Sequence, residues 1–258
     1  MKKIFFALIA TTTTACAFAQ TVEKMVVRQA DGTETKFRVT SIDKVYFEED
    51  EVKMDYVDLG LKSGTKWATC NLGANAPEEY GDYYGWGCID PYAEGDNITW
   101  PLYFLKIGGT GTSGGDCGTA KDPLQEYVNP NYTSISSTDW DAAKTELGGN
   151  WCMPTEEDLK ELTTSCIWSW TTVNGVDGYT VTNKSDATKY IFLPAAGYRY
   201  GTALEQGGTY GHYWCADPHT NSPNAIRMTL FSAYRSVTNA YRYYGLPIRP
   251  VYKEQAEN

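Results

Sequence analysis

The sequence predicts an α+β protein of short strands, two adjacent mid-chain helices and long loops. Three observations carry this. Short β-rich runs recur between turn dipeptides along most of the chain. Helical patterning is confined to the stretch from Ser137 to Leu162. The composition is 14% aromatic with 24 Gly and 11 Pro in 258 residues, which suits strands and loops because aromatic side chains fit a pleated, half-buried surface.

The first residues, MKKIFFALIATTTTACAFAQ, read as a leader. Lys2 and Lys3 precede an apolar run from Ile4 to Ala10, and Ala17-Phe18-Ala19 offers small residues at a cleavage position before Gln20. Residues 1–19 are therefore assigned to a signal peptide, and the mature chain to an exported location: periplasm, cell surface or secreted. The run is far shorter than the roughly 20 apolar residues that span a bilayer, and no transmembrane segment is expected. Lipidation of Cys16 is the alternative, but Thr13-Thr14-Ala15 lacks the leucine of the usual lipobox, so simple cleavage is preferred.

Residues 20–50 read as a small β-hairpin module. MVVRQADGTETKFRV places two β-rich runs around Asp31-Gly32, a hairpin signal because glycine accepts positive φ. IDKVYF reads as a third short strand and the acidic EEDE after it as a linker. So small a piece buries little by itself.

The main domain is assigned to residues 55–252. YVDLGLKSGTKWATCNLGA predicts strands over 57–61 and 66–70 around a Ser63-Gly64 turn. From Asp90 to Ser137 periodicity lapses and the chain reads as a long loop. Its glycine-rich GGTGTSGGDCG is followed by no GK[ST] and no helix, which excludes a phosphate cradle. STDWDAAKTELGG predicts a helix capped by Ser137 or Thr138, with Trp140, Ala143 and Leu147 on one face and Gly148 as its stop. Thr155 caps the next helix while Asp158 reaches back; Glu156 and Glu157 sit where the helix dipole favours acids, and Leu159 and Leu162 face inward. The join between the helices, LGGNWCMPTEEDLKEL, is thus scaffold. Beyond it, CIWSWTTVNGVDGYTVTN, KYIFLPAAGYRY, GHYWCA, AIRMTLFS and GLPIRPV read as short strands, with turns at Asn174-Gly175 and Asp177-Gly178.

Net charge is −10, more negative once Lys2 and Lys3 leave, with no basic stripe; such a surface repels phosphate backbones, so no nucleic-acid partner is expected. Loss of Cys16 leaves Cys70, Cys88, Cys117, Cys152, Cys166 and Cys215, none in a CxxC. In an oxidising compartment an even set reads as possible disulfides in many pairings. His212 and His219 lie in no GxSxG or HExxH, and no two carboxylates have a reason to stand at glycosidase spacing. No catalytic residue, metal site or cofactor is expected.

Taken in order, YVDLGLKSGTKWATCNLGA, PEEYGDYYGWG, LGGNWCMPTEEDLKEL, WSWTTVNGVDGYTVT, IFLPAAGYR, GHYWCA and YYGLPIRPV resemble the Fibrobacter succinogenes major paralogous domain family, from about Tyr56 to Val251. The segment MVVRQADGTETKFRVTSIDKVYF looks like a short module found ahead of such domains in exported proteins of Bacteroidota-type bacteria. The resemblance implies a C-type-lectin-like fold, shared with formylglycine-generating enzymes and with the variable proteins of diversity-generating retroelements: two helices flanking small twisted antiparallel sheets, with much of the chain in loops. Cys152 stands where GGxWRMP has Arg, Cys215 at the first Ser of YWSS, and Cys88 at the Glu of GWGET. Neighbouring blocks then imply a Cys152–Cys215 bridge, with Cys88–Cys117 stapling the long loop. The reactive cysteine pair of the formylglycine-generating enzymes is missing, because Cys215 is the only cysteine after Cys166. Calcium-dependent sugar binding is not carried over either, since SPN at Ser222–Asn224 lacks the first oxygen donor of EPN or QPD and no WND exists.

The remaining signal is the C-terminal third. GYRYGTALEQGGTYGHYWC and FSAYRSVTNAYRYYG are dense in Tyr, Arg, Asn, Ser and Gly, a palette suited to adaptable recognition. Expected ligand-binding residues are Tyr198, Tyr200, Tyr210, His212, Tyr213, Tyr234, Arg235, Asn239, Tyr241 and Arg242, whereas Trp214, Ile248 and Arg249 read as structural. The expected function is non-catalytic binding or adhesion to a protein or glycan at the cell surface. A structural envelope module without its own ligand is the first alternative, and an enzyme on a formylglycine-generating-enzyme-like fold the second.

Overall fold

The chain divides into two units, Met1–Glu51 and Val52–Asn258. A computed structural model describes residues 24–28, 34–38, 54–106, 134–220 and 223–254. In the first unit β1 (Lys24–Arg28) and β2 (Glu34–Arg38) pair antiparallel, with Lys24 opposite Arg38 and Arg28 opposite Glu34. The two strands lie either side of Asp31-Gly32 as expected, and the connecting residues 29–33 lie outside the described residues. The expected third strand IDKVYF, the EEDE linker and the leader lie outside the described residues.

The second unit mixes small antiparallel sheets with few helices, and at this level the α+β expectation holds. One sheet has the order β3 (Tyr56–Val57), β4 (Lys66–Ala68), β14 (Val251–Tyr252), β5 (Trp151–Cys152). The strands are shorter than the sequence suggests because Leu59 and Leu61 are buried from an irregular segment that turns at Gly64, whose N–H donates to the Leu61 carbonyl at 3.0 Å.

The region read as one long loop contains a helix, α1 (Trp100–Lys106), with Pro101 in its first turn, where the missing N–H is harmless. Residues 107–133, with Cys117 and the glycine-rich run, lie outside the described residues. The next helix, α2 (Ala142–Leu147), ends at Gly148 with φ 65° as expected, but its N-cap is Asp141, not Ser137 or Thr138. The Asp141 carboxylate is buried and accepts three backbone N–H groups, from Ser137 (2.8 Å), Lys144 (3.1 Å) and Met153 (2.9 Å). A hydroxyl cannot serve three donors from three directions. In α3 (Glu156–Ser165) the Thr155–Asp158 capping box forms, and Leu159 and Leu162 are buried.

A second sheet holds β6 (Cys166–Val173), β7 (Val176–Asn183) and β8 (Tyr190–Pro194) in sequence order. Asn174 (φ 49°) and Gly175 (φ 83°) make the two-residue turn between β6 and β7. Asp177-Gly178, the other expected turn, is instead central strand: Gly178 pairs with both Thr171 and Pro194. Glycine is required there by proximity, since a Cβ would meet the Leu193 carbonyl oxygen at 2.3 Å. The third sheet is β11 (Gly211–Pro218), β12 (Asn224–Phe231) and β13 (Tyr234–Tyr241), and β9 (Tyr198–Tyr200) pairs with β10 (Ala203–Glu205) beside it.

One core gathers α3, the β6–β8 sheet and the inner face of the third sheet, through Leu159, Leu162, Val181, Ile191, Tyr213, Met228 and Leu230. A second lies on the opposite face around Trp86, Trp214, Met153 and Leu246. Its two tryptophans lock across it: Trp86 Nε1 donates to the Cys215 carbonyl (2.9 Å) and Trp214 Nε1 to the Tyr84 carbonyl (2.7 Å).

The expected Cys152–Cys215 bridge is absent; both are buried thiols of the first core, as is Cys166, and Cys70 is a buried thiol outside it. Each works as a small apolar side chain. Burial pushes the Cys152 thiol up in pKa, and burial with the nearby Asp217 carboxylate pushes Cys215 well up, which disfavours the thiolate that disulfide exchange uses. Cys88 is buried, and its proposed partner Cys117 lies outside the described residues. Among the described residues no helix is long and apolar enough to cross a membrane.

Candidate functional site

The third sheet presents one face to the first core and the other outward at one end. Register decides which side chains share the outer face. His212 lies opposite Thr229 and Thr229 opposite Ser236; Trp214 lies opposite Arg227 and Arg227 opposite Thr238; Phe231 lies opposite Tyr234. On this face Trp214, Ala216, Ala225 and Ala240 are covered by the second core, whereas Arg227, Thr238 and Phe231 stay partly exposed.

Aromatic rings touch in an unbroken series that starts at the Asn224–Tyr241 end of the sheet, where Tyr241 has the strand parity of Asn239 and joins through ring contact alone, and continues onto this face. Tyr241 stacks on Tyr243 (centroids 5.8 Å apart), and Tyr243 meets Tyr244 edge-on (4.8 Å). Tyr244 stacks on Tyr198 (5.2 Å), which meets the His212 ring edge-on (5.4 Å). His212 stacks on Tyr210 (5.9 Å), Tyr210 packs against Phe231 (4.8 Å), and Phe231 stacks on Tyr234 (5.2 Å). Tyr200 abuts Tyr244, and Trp100 of α1 abuts Tyr243. Tyr200, Tyr234 and Tyr241 are each more than two-fifths exposed, at 47%, 44% and 45%.

A polar chain runs beneath the rings. Gln206 Oε1 can only accept, so His212 Nε2–H donates to it (2.8 Å); Nδ1 then accepts from the Thr229 hydroxyl (3.2 Å), which in turn accepts from Thr238 (2.8 Å). Burial, with the Arg227 charge adding to it, pushes His212 down to about 3, so the ring is neutral. Gln206 reaches this position from a left-handed backbone (φ 58°). Its loop lies directly on Gly197, where a Cβ would meet the Glu205 carbonyl oxygen at 2.2 Å.

Arg227 is half-buried in the same face, and burial lowers its pKa against the opposing influence of Tyr198 and Tyr244. Its Nε is buried without a hydrogen-bond partner, and among the described residues no carboxylate stands within ion-pair distance of it.

Of the expected ligand residues, the structure brings Tyr198, Tyr200, Tyr210, His212, Tyr234 and Tyr241 into this one series. It separates the other four. Tyr213 points into the first core and donates to the Pro194 carbonyl. Arg235 lies on the other face over the Trp168 ring, 5.3 Å from its centroid. Asn239 pairs in register with inward-facing Ile226 and accepts from Asn224 Nδ2 (2.7 Å). Arg242 is buried over Trp86 and donates to the Asn224 carbonyl (3.1 Å). In each case the two-residue alternation of the strand, or a step into the interior, overrides the composition of the segment.

No family model, curated protein or solved structure matches the chain. The family resemblance therefore rests on the sequence blocks alone.

Tyr243, Tyr244, Phe231, Trp100 and Arg227 were not among the expected residues. Tyr243 and Tyr244 follow Tyr241 with only Arg242 between, and Arg227 is the only charge in the β12 run NAIRMTLF, a buried-polar signal visible in the sequence. Trp100 carried no such signal. Chemically the series offers flat apolar ring faces, hydroxyls at their edges and one guanidinium, a set for recognition. Among the described residues no three His, Cys, Asp or Glu side chains converge as a metal site.

Proposed function

We propose that the protein is an exported bacterial cell-envelope or secreted binding protein that holds a protein or glycan, without catalysis, on the aromatic series of its third sheet. In this reading the frame is C-type-lectin-like. The ordered sequence blocks, the adjacent α2 and α3, and the small antiparallel sheets around them support it. The leader-like first residues support export. The observation that carries the reading is the run of touching rings from Tyr241 to Tyr234 with three tyrosines more than two-fifths exposed. Rigid amphipathic tyrosines supply contact area at low entropic cost.

The test is binding of the mature chain, from Gln20 onward, to arrays of glycans and cell-surface proteins, with Tyr200→Ala/Tyr241→Ala beside it. The expected outcome is a ligand whose binding falls at least about tenfold in the double variant, with an unchanged melting temperature. A ligand bound equally by both proteins removes the site from this face.

A further inference from the structure

We propose that the aromatic series takes a glycan bearing a single carboxylate, such as a sialic or uronic acid residue on an otherwise neutral oligosaccharide, and that Arg227 is the anchor for that carboxylate. The proposal rests on the reading of this face as a binding surface and names its ligand.

The contrast among the arginines is the first argument. Arg249 is buried and engages four acceptors: Asn71 Oδ1, the carbonyls of Ala68 and Thr69, and that of Phe192. Arg199 donates to the Ala93 carbonyl (2.9 Å), and Arg242 to the Asn224 carbonyl (3.1 Å). Among the described residues Arg227 has neither a carbonyl nor a carboxylate partner, although its Nε is shut off from water. A guanidinium that is half removed from water without a partner destabilises the fold, and a carboxylate delivered by a ligand would answer its planar fork.

The surroundings select the rest of the ligand. Thr238 pairs with Arg227 across the strands, Tyr198 and Tyr244 stand beside it, and the His212–Gln206 bond lies next along the face. Gln206, His212, Thr229 and Thr238 are joined by hydrogen bonds, and with the tyrosine hydroxyls they give a polar lining suited to ring hydroxyls. Tyr200 and Tyr241 offer open, flat rings, on which the C–H face of a sugar packs without needing a socket.

Charge at the scale of the molecule sets the number of carboxylates. The chain carries −10, which repels a dense polyanion at long range. A single carboxylate on a neutral chain meets only the local field of Arg227.

The experiment titrates the mature chain with sialyllactose and lactose. In parallel it titrates a glucuronic-acid-capped oligosaccharide and the same oligosaccharide with its carboxylate reduced to the alcohol. The acidic member of at least one pair is expected to bind at least about tenfold more tightly than its neutral partner, and the pair that discriminates identifies the source of the carboxylate. Arg227→Gln is expected to erase that preference, Arg227→Lys to keep part of it, and Tyr241→Ala to weaken both members alike; thermal melts of each variant verify folding. Equal binding within both pairs, or a preference that survives Arg227→Gln, overturns the proposal. So does an acidic peptide that binds through Arg227 while both acidic sugars fail, an outcome that leaves the binding face itself standing. Binding of any ligand that ignores Tyr241→Ala together with Tyr244→Ala overturns the binding face as well.

Discussion

A histidine that stays neutral far below its ordinary pKa makes folding pH-dependent in a defined window. His212 is buried, and its folded pKa is pushed down to about 3, by burial first and by Arg227 second, against about 6.5 when unfolded. Between those values the unfolded chain binds the proton and the folded chain does not. The contribution of His212 to stability is therefore complete above about pH 6.5 and declines as pH falls toward 3, with a slope approaching about 1.4 kcal/mol per pH unit. Urea midpoints of the wild type are expected to drop between pH 6.5 and 5, ahead of most carboxylate titration, and to stay level over that range in His212→Asn. A wild-type midpoint as flat as that of the variant would show that His212 titrates normally. Residue type made this histidine visible in the sequence, and its neighbours in GTYGHYWC put it on the right surface. The sequence could not tell it from Tyr213 one position later. The pleat sends one outward under tyrosine rings and the other into the core, and a run of consecutive aromatic residues carries no mark of which is which.

At the scale of elements, sequence was most informative where a local hydrogen bond decides the structure. The Thr155–Asp158 box, the Gly148 stop and the Asn174-Gly175 turn are all as expected, since each is settled within four residues. It was least informative where a distant partner decides: Asp177-Gly178 carries turn residues but is held as strand by β8, and Asp141 wins the α2 cap through Met153. Two glycines separate these effects. At Gly175 a Cβ meets nothing, so Gly175→Ala pays only for φ 83°, about 1 kcal/mol. At Gly178 the same change forces the Leu193 carbonyl aside, and a loss of at least about 3 kcal/mol is expected. Urea unfolding of the two variants should rank them in that order, and equal losses would mean that β7 and β8 are not closed as tightly as described. The α3 cap adds an acid limb. Burial pushes the Asp158 carboxyl up, but bonds from Lys253 Nζ (2.7 Å) and Thr155 outweigh it and hold the pKa below its ordinary value. Its contribution is present above about pH 4 and lost as pH falls through the lowered folded value. Asp158→Asn should cost about 1–3 kcal/mol at neutral pH and flatten the stability curve below pH 4.

For the whole molecule, the C-terminal run GLPIRPV threads the parts together. Leu246 exchanges backbone bonds with Tyr84, the Pro247 carbonyl accepts from Trp214, that of Ile248 from Leu72 and that of Pro250 from Ala68. Val251 then completes the first sheet between β4 and β5. At the centre Arg249 ties Asn71, 178 residues earlier in the chain, to Phe192. The sequence reading of Arg249 as structural holds, because a lone arginine between prolines and apolar residues has no solvated face. The partners it would find were not legible, since no local pattern encodes a contact across most of the chain. Cooperativity should follow from this arrangement. Arg249→Met would leave the acceptors on Ala68, Thr69, Asn71 and Phe192 buried and short of a donor, at about 1–3 kcal/mol each where no water reaches them. Arg249→Met, or a chain stopped after Pro247, is therefore expected to lose the sharp unfolding transition and expose tyrosine and tryptophan fluorescence to quencher. Removal of residues 20–51 should leave the melting of the second unit within a few degrees of the wild type, because that unit holds hydrophobic cores of its own. A sharp transition retained by Arg249→Met would mean that these segments are joined by packing alone and that the guanidinium is dispensable to the frame beneath the aromatic face.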